Sequence, residues 1–177
     1  SCEGTVRCAR DLRSVVDGCD ESRVISACAP DQGCADGKCL PACDAAVGAN
    51  ATMGCEFVAL PPPRVALTAG SCFAAVLTNS WEVPAQIEAE YEGKPLDIAT
   101  ITKIVRTDGA NTTYEPFDGT IKPGEVAVVF LAEQASGIAA VPCPVGTTAA
   151  IRKETAENGT RRGSTFRIKT TAPVSAY

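Results

Sequence analysis

Residues 121–131 read Ile-Lys-Pro-Gly-Glu-Val-Ala-Val-Val-Phe-Leu, a compact turn followed by an unbroken apolar run. The adjacent proline and glycine favour a tight turn. The run from Val126 to Leu131 is short for a helix and rich in β-branched side chains. It therefore predicts a strand that is central in a sheet and buried on both faces.

Segments on either side of this run show the alternation of half-buried strands. Between residues 86 and 91 apolar Ile87, Ala89 and Tyr91 alternate with polar Gln86, Glu88 and Glu90, and a turn follows at residues 92–95. A late segment alternates in the same way at residues 166–170. From residue 71 onward such segments recur every ten to fifteen residues or so, separated by glycine, proline, asparagine and aspartate. We expect a mainly β chain, with an antiparallel, jelly-roll-like β-sandwich over residues 56–177.

The first 55 residues have a different texture, because they hold eight of the ten cysteines and few other apolar side chains. So little apolar surface cannot offset the entropy of ordering the segment, and disulfides must supply the difference. We expect a disulfide-stapled module at residues 1–55 whose internal connectivity is left open. Its half-cystines are Cys2, Cys8, Cys19, Cys28, Cys34, Cys39, Cys43 and Cys55. The remaining cysteines, Cys72 and Cys143, are expected to pair with each other.

Within this module, residues 13–17 and 23–27 predict a small hairpin around a turn rich in glycine and acidic residues. A helix through Cys8, Leu12, Val15 and Cys19 is an alternative that β-branched residues and a glycine weaken. Residues 44–47 could form one helical turn. The segment Leu-Pro-Pro-Pro at residues 60–63 predicts an extended spacer before the sandwich.

The bulk composition excludes several classes of protein. The net charge is −5 and basic residues do not cluster, so we expect no nucleic acid partner. No apolar run approaches the roughly 20 residues of a membrane span. The cysteine content predicts a secreted or cell-surface protein whose leader was removed. Whether it is anchored is left open, a lipid on Cys2 being the alternative to a disulfide there.

The chain has no histidine, which removes histidine-based nucleophilic catalysis and every histidine-bearing zinc site. We therefore expect no enzyme, no cofactor and no metal. A structural role is favoured over three alternatives, which are zinc at the cysteines of residues 28–43, calcium at acidic turns, and a carboxylate pair for glycoside hydrolysis. The acidic turns hold Asp17, Asp20, Glu21, Asp31 and Asp36, and the carboxylates are Glu82, Glu88 and Glu90.

Three asparagines, Asn50, Asn111 and Asn158, fit the glycosylation acceptor pattern and predict surface loops. Trp81, the only tryptophan, is a candidate for stacking on a sugar, although packing in the core or at its rim is the favoured interpretation. Arg161 and Arg162 lie in a flexible loop that could contact an acidic partner, with a solvated loop as the favoured account.

Three blocks, at residues 70–81, 121–131 and 166–177, resemble the domain named for the N-terminal region of IgGFc-binding protein. In bacteria, especially myxobacteria, this domain occurs in secreted or lipid-anchored proteins. The similarity extends over residues 43–177, and residues 1–55 are similar to the cysteine-rich modules that precede the domain. The resemblance implies an extracellular β-rich domain associated with adhesion or binding. It also implies further strands beyond Tyr177, so that the sandwich is either truncated or completed by another chain at an open edge of the last strand.

From these observations we expect a non-catalytic module for binding, adhesion or structural assembly at a bacterial cell surface. Its partner would be a protein, a glycan, or a second chain that joins through the C-terminal strand. The alternative is a carbohydrate-binding or carbohydrate-active extracellular protein.

Overall fold

The computed structural model describes residues 4–49, 52–156, 158 and 162–177. The cysteine-rich part forms two small antiparallel sheets and one short helix. Strands β1, β2 and β3 make the first sheet, and β4 pairs with β5 in the second. In chain order these elements are β1 (Val6–Cys8), β2 (Ser14–Asp17), β3 (Val24–Ala27), β4 (Gln32–Ala35), β5 (Lys38–Pro41) and α1 (Ala42–Gly48).

The hairpin predicted around residues 18–22 is present as β2 and β3, and the alternative helix is not formed. Disulfides Cys8–Cys34, Cys28–Cys39 and Cys43–Cys55 connect the elements of this part. Cys19 is also disulfide-bonded, and Cys2 lies outside the described residues. These crosslinks hold together a region in which every residue of β3 is exposed.

The rest of the chain builds one large, curled antiparallel sheet. Its strand order is β11-β10-β12-β7-β13-β8-β9, and β6 pairs with β13. The mainly β, antiparallel sandwich expected from the sequence is confirmed. The elements are β6 (Gly54–Ala59), β7 (Phe73–Thr78), β8 (Ile87–Tyr91), β9 (Lys94–Pro95), α2 (Ile98–Ile101), β10 (Thr102–Asp108), β11 (Asn111–Pro116), β12 (Val126–Ala132) and β13 (Phe166–Ala176). Neither described helix has the length and apolar content that crossing a membrane requires.

Strand β13 joins the two halves of the curled sheet. Its first half pairs with β6 and β8, and its last residues pair with β7. The change of partner occurs around Pro173, which has no N–H to donate and lies where the register with β6 shifts. The halves then face each other across the core, where the ring of Phe166 lies 4.4 Å from that of Tyr91 and 5.9 Å from that of Phe73.

The burial of individual strands follows the patterns in the sequence. Strand β12 is central, between β10 and β7, and consecutive residues Phe130, Leu131 and Ala132 are buried, so both faces are covered there. In β8 the apolar positions are buried and Glu88 is exposed. The turn after β8 is a tight two-residue β-hairpin loop. Glu92 and Gly93 both have positive φ, as the two central residues of a type I′ turn require.

Arg106 ties three elements together beside this core. Its guanidinium donates to Glu125 at 2.6 Å and to Glu115 at 3.0 Å, linking β10 to β11 and to the turn before β12. Burial acts to raise the pKa of Glu125, but hydrogen bonds from the Lys122 backbone N–H and from Arg106 outweigh it. The pKa of Glu125 therefore lies below its ordinary value of 4.5.

The last strand is paired on both sides in its first half. Over Phe166–Lys169, β13 is hydrogen-bonded to β6 on one side and β8 on the other, so this stretch offers no open edge to another chain. Ser175 and Ala176 pair with β7, and Tyr177 exchanges two backbone hydrogen bonds with Val76. Completion of the sheet by another chain at this end stays a prediction.

The strand register gives the sandwich two distinct ends. Ala59, Tyr91 and Phe166 are aligned in one half of the sheet, and Phe73 is paired with Ala132 in the other. The loops at residues 60–72, 92–93 and 133–165 therefore emerge at the same end, which we call the loop end. The cysteine-rich part contacts Trp81, beyond the opposite end of β7, and this is the module end. The predicted division after residue 55 falls within β6, and Leu12 and Ala42 pack into the same core as the sandwich.

Candidate functional site

The loop end is built from two irregular segments that are hydrogen-bonded to each other. Backbone N–H groups of Gln134 and Ala139 donate to the carbonyls of Gly70 and Leu67, at 2.9 and 2.7 Å. Gly70 has a φ of +71°, and a Cβ there would collide with the Gln134 backbone. Cys72 is bonded to Cys143, so a disulfide with a sequence separation of 71 fixes the two segments together.

Large aliphatic side chains on these segments point into solvent. Ile138 is 97% exposed and Val145 is fully exposed, at 103% of the reference area. Val65, Leu67 and Val141 are each more than half exposed. We call these five residues the apolar loop surface. Residues 135–151 contain no charged side chain, although the chain as a whole is 21% charged. Exposed apolar residues that cluster mark interaction sites, and the hydrogen bond from Ala139 to the Leu67 carbonyl brings the backbones at Leu67 and Ile138 together.

Basic residues lie in the same loops as this surface. Arg152, Lys153 and Arg162 are exposed and form no ion pair with a carboxylate in the described part of the chain. Arg64 lies 4.0 Å from Glu154, at the limit of an ion pair. Residues 60–72, 92–93 and 133–165 together carry five basic and four acidic side chains, a charge of +1, which leaves −6 for the remainder of a chain whose total is −5. The loop end is therefore slightly basic, whereas the remainder of the chain is acidic.

Two clefts lie at the loop end, and Val65 of the apolar loop surface lines the smaller one. One of about 280 Å³ lies between the proline spacer and the Cys72 segment, and a polar one of about 580 Å³ includes Lys153 and Arg162 in its wall. Glu154 lines both clefts. Its Oε2 is buried and has no hydrogen-bond donor among the described residues, while Oε1 accepts from the Ala156 N–H.

A third cleft, of about 370 Å³, lies on the outer face of the sheet beside β8. Glu88 and Glu90, considered for glycoside hydrolysis, lie in it with Arg167 and Lys169. Lys169 donates to Glu56 at 2.9 Å, and this hydrogen bond holds the pKa of Lys169 above its ordinary value. The alternating charges form an exposed ladder across the strands, which is the solvated face that the sequence favours. Glu82 lies elsewhere, paired with Arg13 at 2.7 Å.

Trp81 is buried at the module end and cannot serve as a stacking platform, so its candidacy as a ligand contact is wrong. It is 2% exposed, its indole N–H donates to the Pro30 carbonyl at 3.0 Å, and its ring lies against Gly33. Arg13 lies over the ring, 5.9 Å from its centroid. Buried Asn79 accepts from the Trp81 N–H and fixes the turn. Trp81 thus joins the cysteine-rich part to the sandwich.

The candidate metal ligands take part in local structure. The cysteines at positions 28, 34, 39 and 43 are all in disulfides, so they offer no thiolate to zinc. Asp17 accepts from the Cys19 N–H, and Asp20 accepts from Ser22, whose side-chain and backbone hydrogen bonds lower the pKa of Asp20. No group of three or more potential ligands comes together within the described ranges.

The remaining predicted sites lie on the surface or outside the described residues. Asn111 is exposed at the start of edge strand β11, and Asn158 is exposed in the loop end. Asn50 and Arg161 lie outside the described residues. Exposed Arg162 lines the polar cleft. The apolar loop surface was not predicted. The uncharged stretch at residues 135–151 signals an apolar segment, and the structure shows that its Ile138 and Val145 are exposed.

Comparison with known proteins adds no identity to this geometry. No family model, curated protein or solved structure matches the chain.

Proposed function

We propose that this chain is a non-catalytic binding or adhesion module of a secreted or cell-surface protein, and that the loop end is its contact surface. The observation that carries the proposal is the apolar loop surface, in which Ile138 and Val145 are almost completely exposed. Aliphatic groups in water add nothing to folding, whereas their burial against a partner is favourable by about 25 cal/mol for each Å².

The rest of the molecule suits a display scaffold. Four disulfides with both partners described crosslink both ends of the fold, as is typical of proteins in oxidising compartments. The cysteine-rich part occupies the module end, which leaves the loop end free for contact. The resemblance of three sequence blocks to an extracellular, adhesion-associated domain supports the same proposal. With Trp81 buried, the carbohydrate-binding alternative loses the side chain that favoured it.

Retention on cells tests the proposal. Fluorescently labelled protein is added to the cells that produce it, and the bound fraction is measured by flow cytometry. We expect the wild type to be retained and the double variant Ile138→Asp, Val145→Asp to be washed away. The matched control, Val24→Asp with Ile25→Asp, changes two exposed aliphatic residues of β3 at the module end and should be retained. Equal retention of both double variants, or none of the wild type, would refute the proposal.

A further inference from the structure

We infer that the occupant of the apolar loop surface is an anionic lipid bilayer, on which the loop end docks with its aliphatic tips inserted among the headgroups. This inference rests on the proposed function, since it names the partner of the same surface. Shape, charge and stiffness of the loop end support it.

The two most exposed side chains of the surface protrude into solvent. Ile138 and Val145 are exposed by 97% and 103%, so they protrude from the loops instead of lining a depression. A protein partner would need preformed sockets for two such tips, because protein interfaces are as closely packed as protein interiors. A fluid bilayer conforms to protruding aliphatic groups and accepts them to a depth of roughly 5–10 Å. The uncharged stretch at residues 135–151 brings no charged group into that layer.

The charge of the loop end complements anionic headgroups. Arg64, Lys153 and Arg162 line the two clefts of the loop end, and exposed Arg152 precedes Lys153, so this end presents basic groups to lipid phosphates. The remainder of the chain, at −6, is repelled by the same surface. Attraction at one end and repulsion of the rest orient the molecule with its loop end toward the membrane.

Two segments of the loop end are held together before contact. The Cys72–Cys143 bridge and the hydrogen bonds between residues 67–72 and 134–141 fix the segments that carry Leu67, Ile138 and Val141. A preordered surface loses little conformational entropy on binding.

Vesicle sedimentation tests the inference with the full chain. The probes are vesicles of phosphatidylcholine alone and vesicles of phosphatidylcholine mixed with phosphatidylglycerol. We expect the wild type to partition about tenfold more strongly onto the phosphatidylglycerol vesicles, and added NaCl should weaken this binding. Ile138→Asp with Val145→Asp should reduce partitioning by at least about tenfold. Arg152→Gln with Lys153→Gln should reduce it several-fold, and the Val24→Asp, Ile25→Asp control should leave it unchanged.

A fluorescence experiment reports insertion directly. The Ile138→Trp variant places an indole at the tip, while the native Trp81 is buried and gives a constant background. Its emission should shift to the blue on adding phosphatidylglycerol vesicles, and that of Val24→Trp should not. A blue shift restricted to the tip variant supports insertion, and no shift in either variant overturns it.

The vesicle and cell experiments can refute the lipid inference and the proposed function separately. If phosphatidylglycerol vesicles do not bind the protein at low salt, while retention on cells still depends on Ile138 and Val145, the partner is a protein or glycan. The lipid inference is then overturned and the proposed function stands. If retention on cells does not depend on the loop surface, the proposed function is refuted, and equal partitioning of wild type and tip variant overturns the lipid inference as well.

Discussion

Replacing Trp81 by alanine should destabilise the whole molecule, because this side chain holds the cysteine-rich part against the sandwich. The ring is 2% exposed and packs against Gly33, and its indole N–H donates to the Pro30 carbonyl. Arg13 covers the ring and extends to Glu82 and to the Ser80 carbonyl, both at 2.7 Å. All these contacts join residues of the cysteine-rich part to the turn after β7.

The magnitude follows from the area that the indole buries. A tryptophan side chain removes about 150–250 Å² from water, which corresponds to roughly 4–6 kcal/mol at 25 cal/mol per Å². Alanine retains a small part of this, and substitutions of buried aromatic residues by alanine cost about 3–5 kcal/mol. We therefore expect a loss near 4 kcal/mol, a large fraction of the roughly 5–15 kcal/mol that stabilises a domain. Trp81→Phe keeps most of the packing but loses the hydrogen bond, so it should cost about 1–3 kcal/mol.

Urea unfolding with all disulfides intact measures this loss. Circular dichroism is the signal for all proteins, because both Trp81 variants lack the only tryptophan. Tyr177→Ala is the matched control, since it removes an aromatic side chain that is 84% exposed. In the wild type, fluorescence of Trp81 and circular dichroism should report one coincident transition. If Trp81→Ala lies within about 1 kcal/mol of the Tyr177→Ala control, the contacts described above do not stabilise the molecule and the reasoning is refuted.

Three further predictions concern other parts of the fold. Because the pKa of Glu125 is depressed in the folded state, the ionised carboxylate stabilises the fold above pH 4.5, and this stabilisation is lost as the pH falls through the folded-state pKa. In Glu125→Gln the melting temperature should therefore fall less steeply with decreasing pH than in the wild type, as measured by thermal unfolding at a series of pH values. Gly70→Ala should lower the free energy of unfolding by at least about 2 kcal/mol, because the added Cβ has to adopt a left-handed backbone conformation and also collides with the Gln134 carbonyl. Gly93→Ala is the control: it has a similar φ but open space around the Cβ, and it should lower the free energy of unfolding by about 1 kcal/mol in the same urea titration. Serine at both Cys72 and Cys143 should cost about 4 kcal/mol by the loop-entropy model, and an unchanged urea midpoint would contradict it.

Local patterns predicted much of the sandwich, because strand character and turns depend on neighbouring residues. The alternation around β8 determines which face is buried, and the Glu92-Gly93 turn follows from the backbone freedom of glycine. The continuous apolar run of β12 correctly indicates a central strand, because a strand with one face in water would alternate apolar and polar residues.

Long-range pairing could not be predicted in the same way. Strand β13 alternates like a strand with one solvated face, and this pattern does not reveal that β6 and β8 lie on either side of it. Trp81 is similar, because its burial depends on Pro30 and Gly33, about fifty residues earlier in the chain. The apolar loop surface was not predicted because the exposure of apolar loop residues is also a property of the tertiary structure. Apolar loop residues are usually buried under neighbouring elements, and only the tertiary structure shows that Ile138 and Val145 are not.

The exposed aliphatic residues require an explanation that folding alone does not give. A stretch of 17 residues at the chain's 21% charged content would carry roughly three or four charges, and residues 135–151 carry none. These residues form no described helix or strand, and Ile138 and Val145 add almost no buried area, so polar side chains in their place would leave the core intact and improve solubility. We propose that this apolar surface, which adds almost no buried area and is held by the Cys72–Cys143 disulfide at the slightly basic end of an acidic molecule, contacts a partner that is itself apolar and anionic.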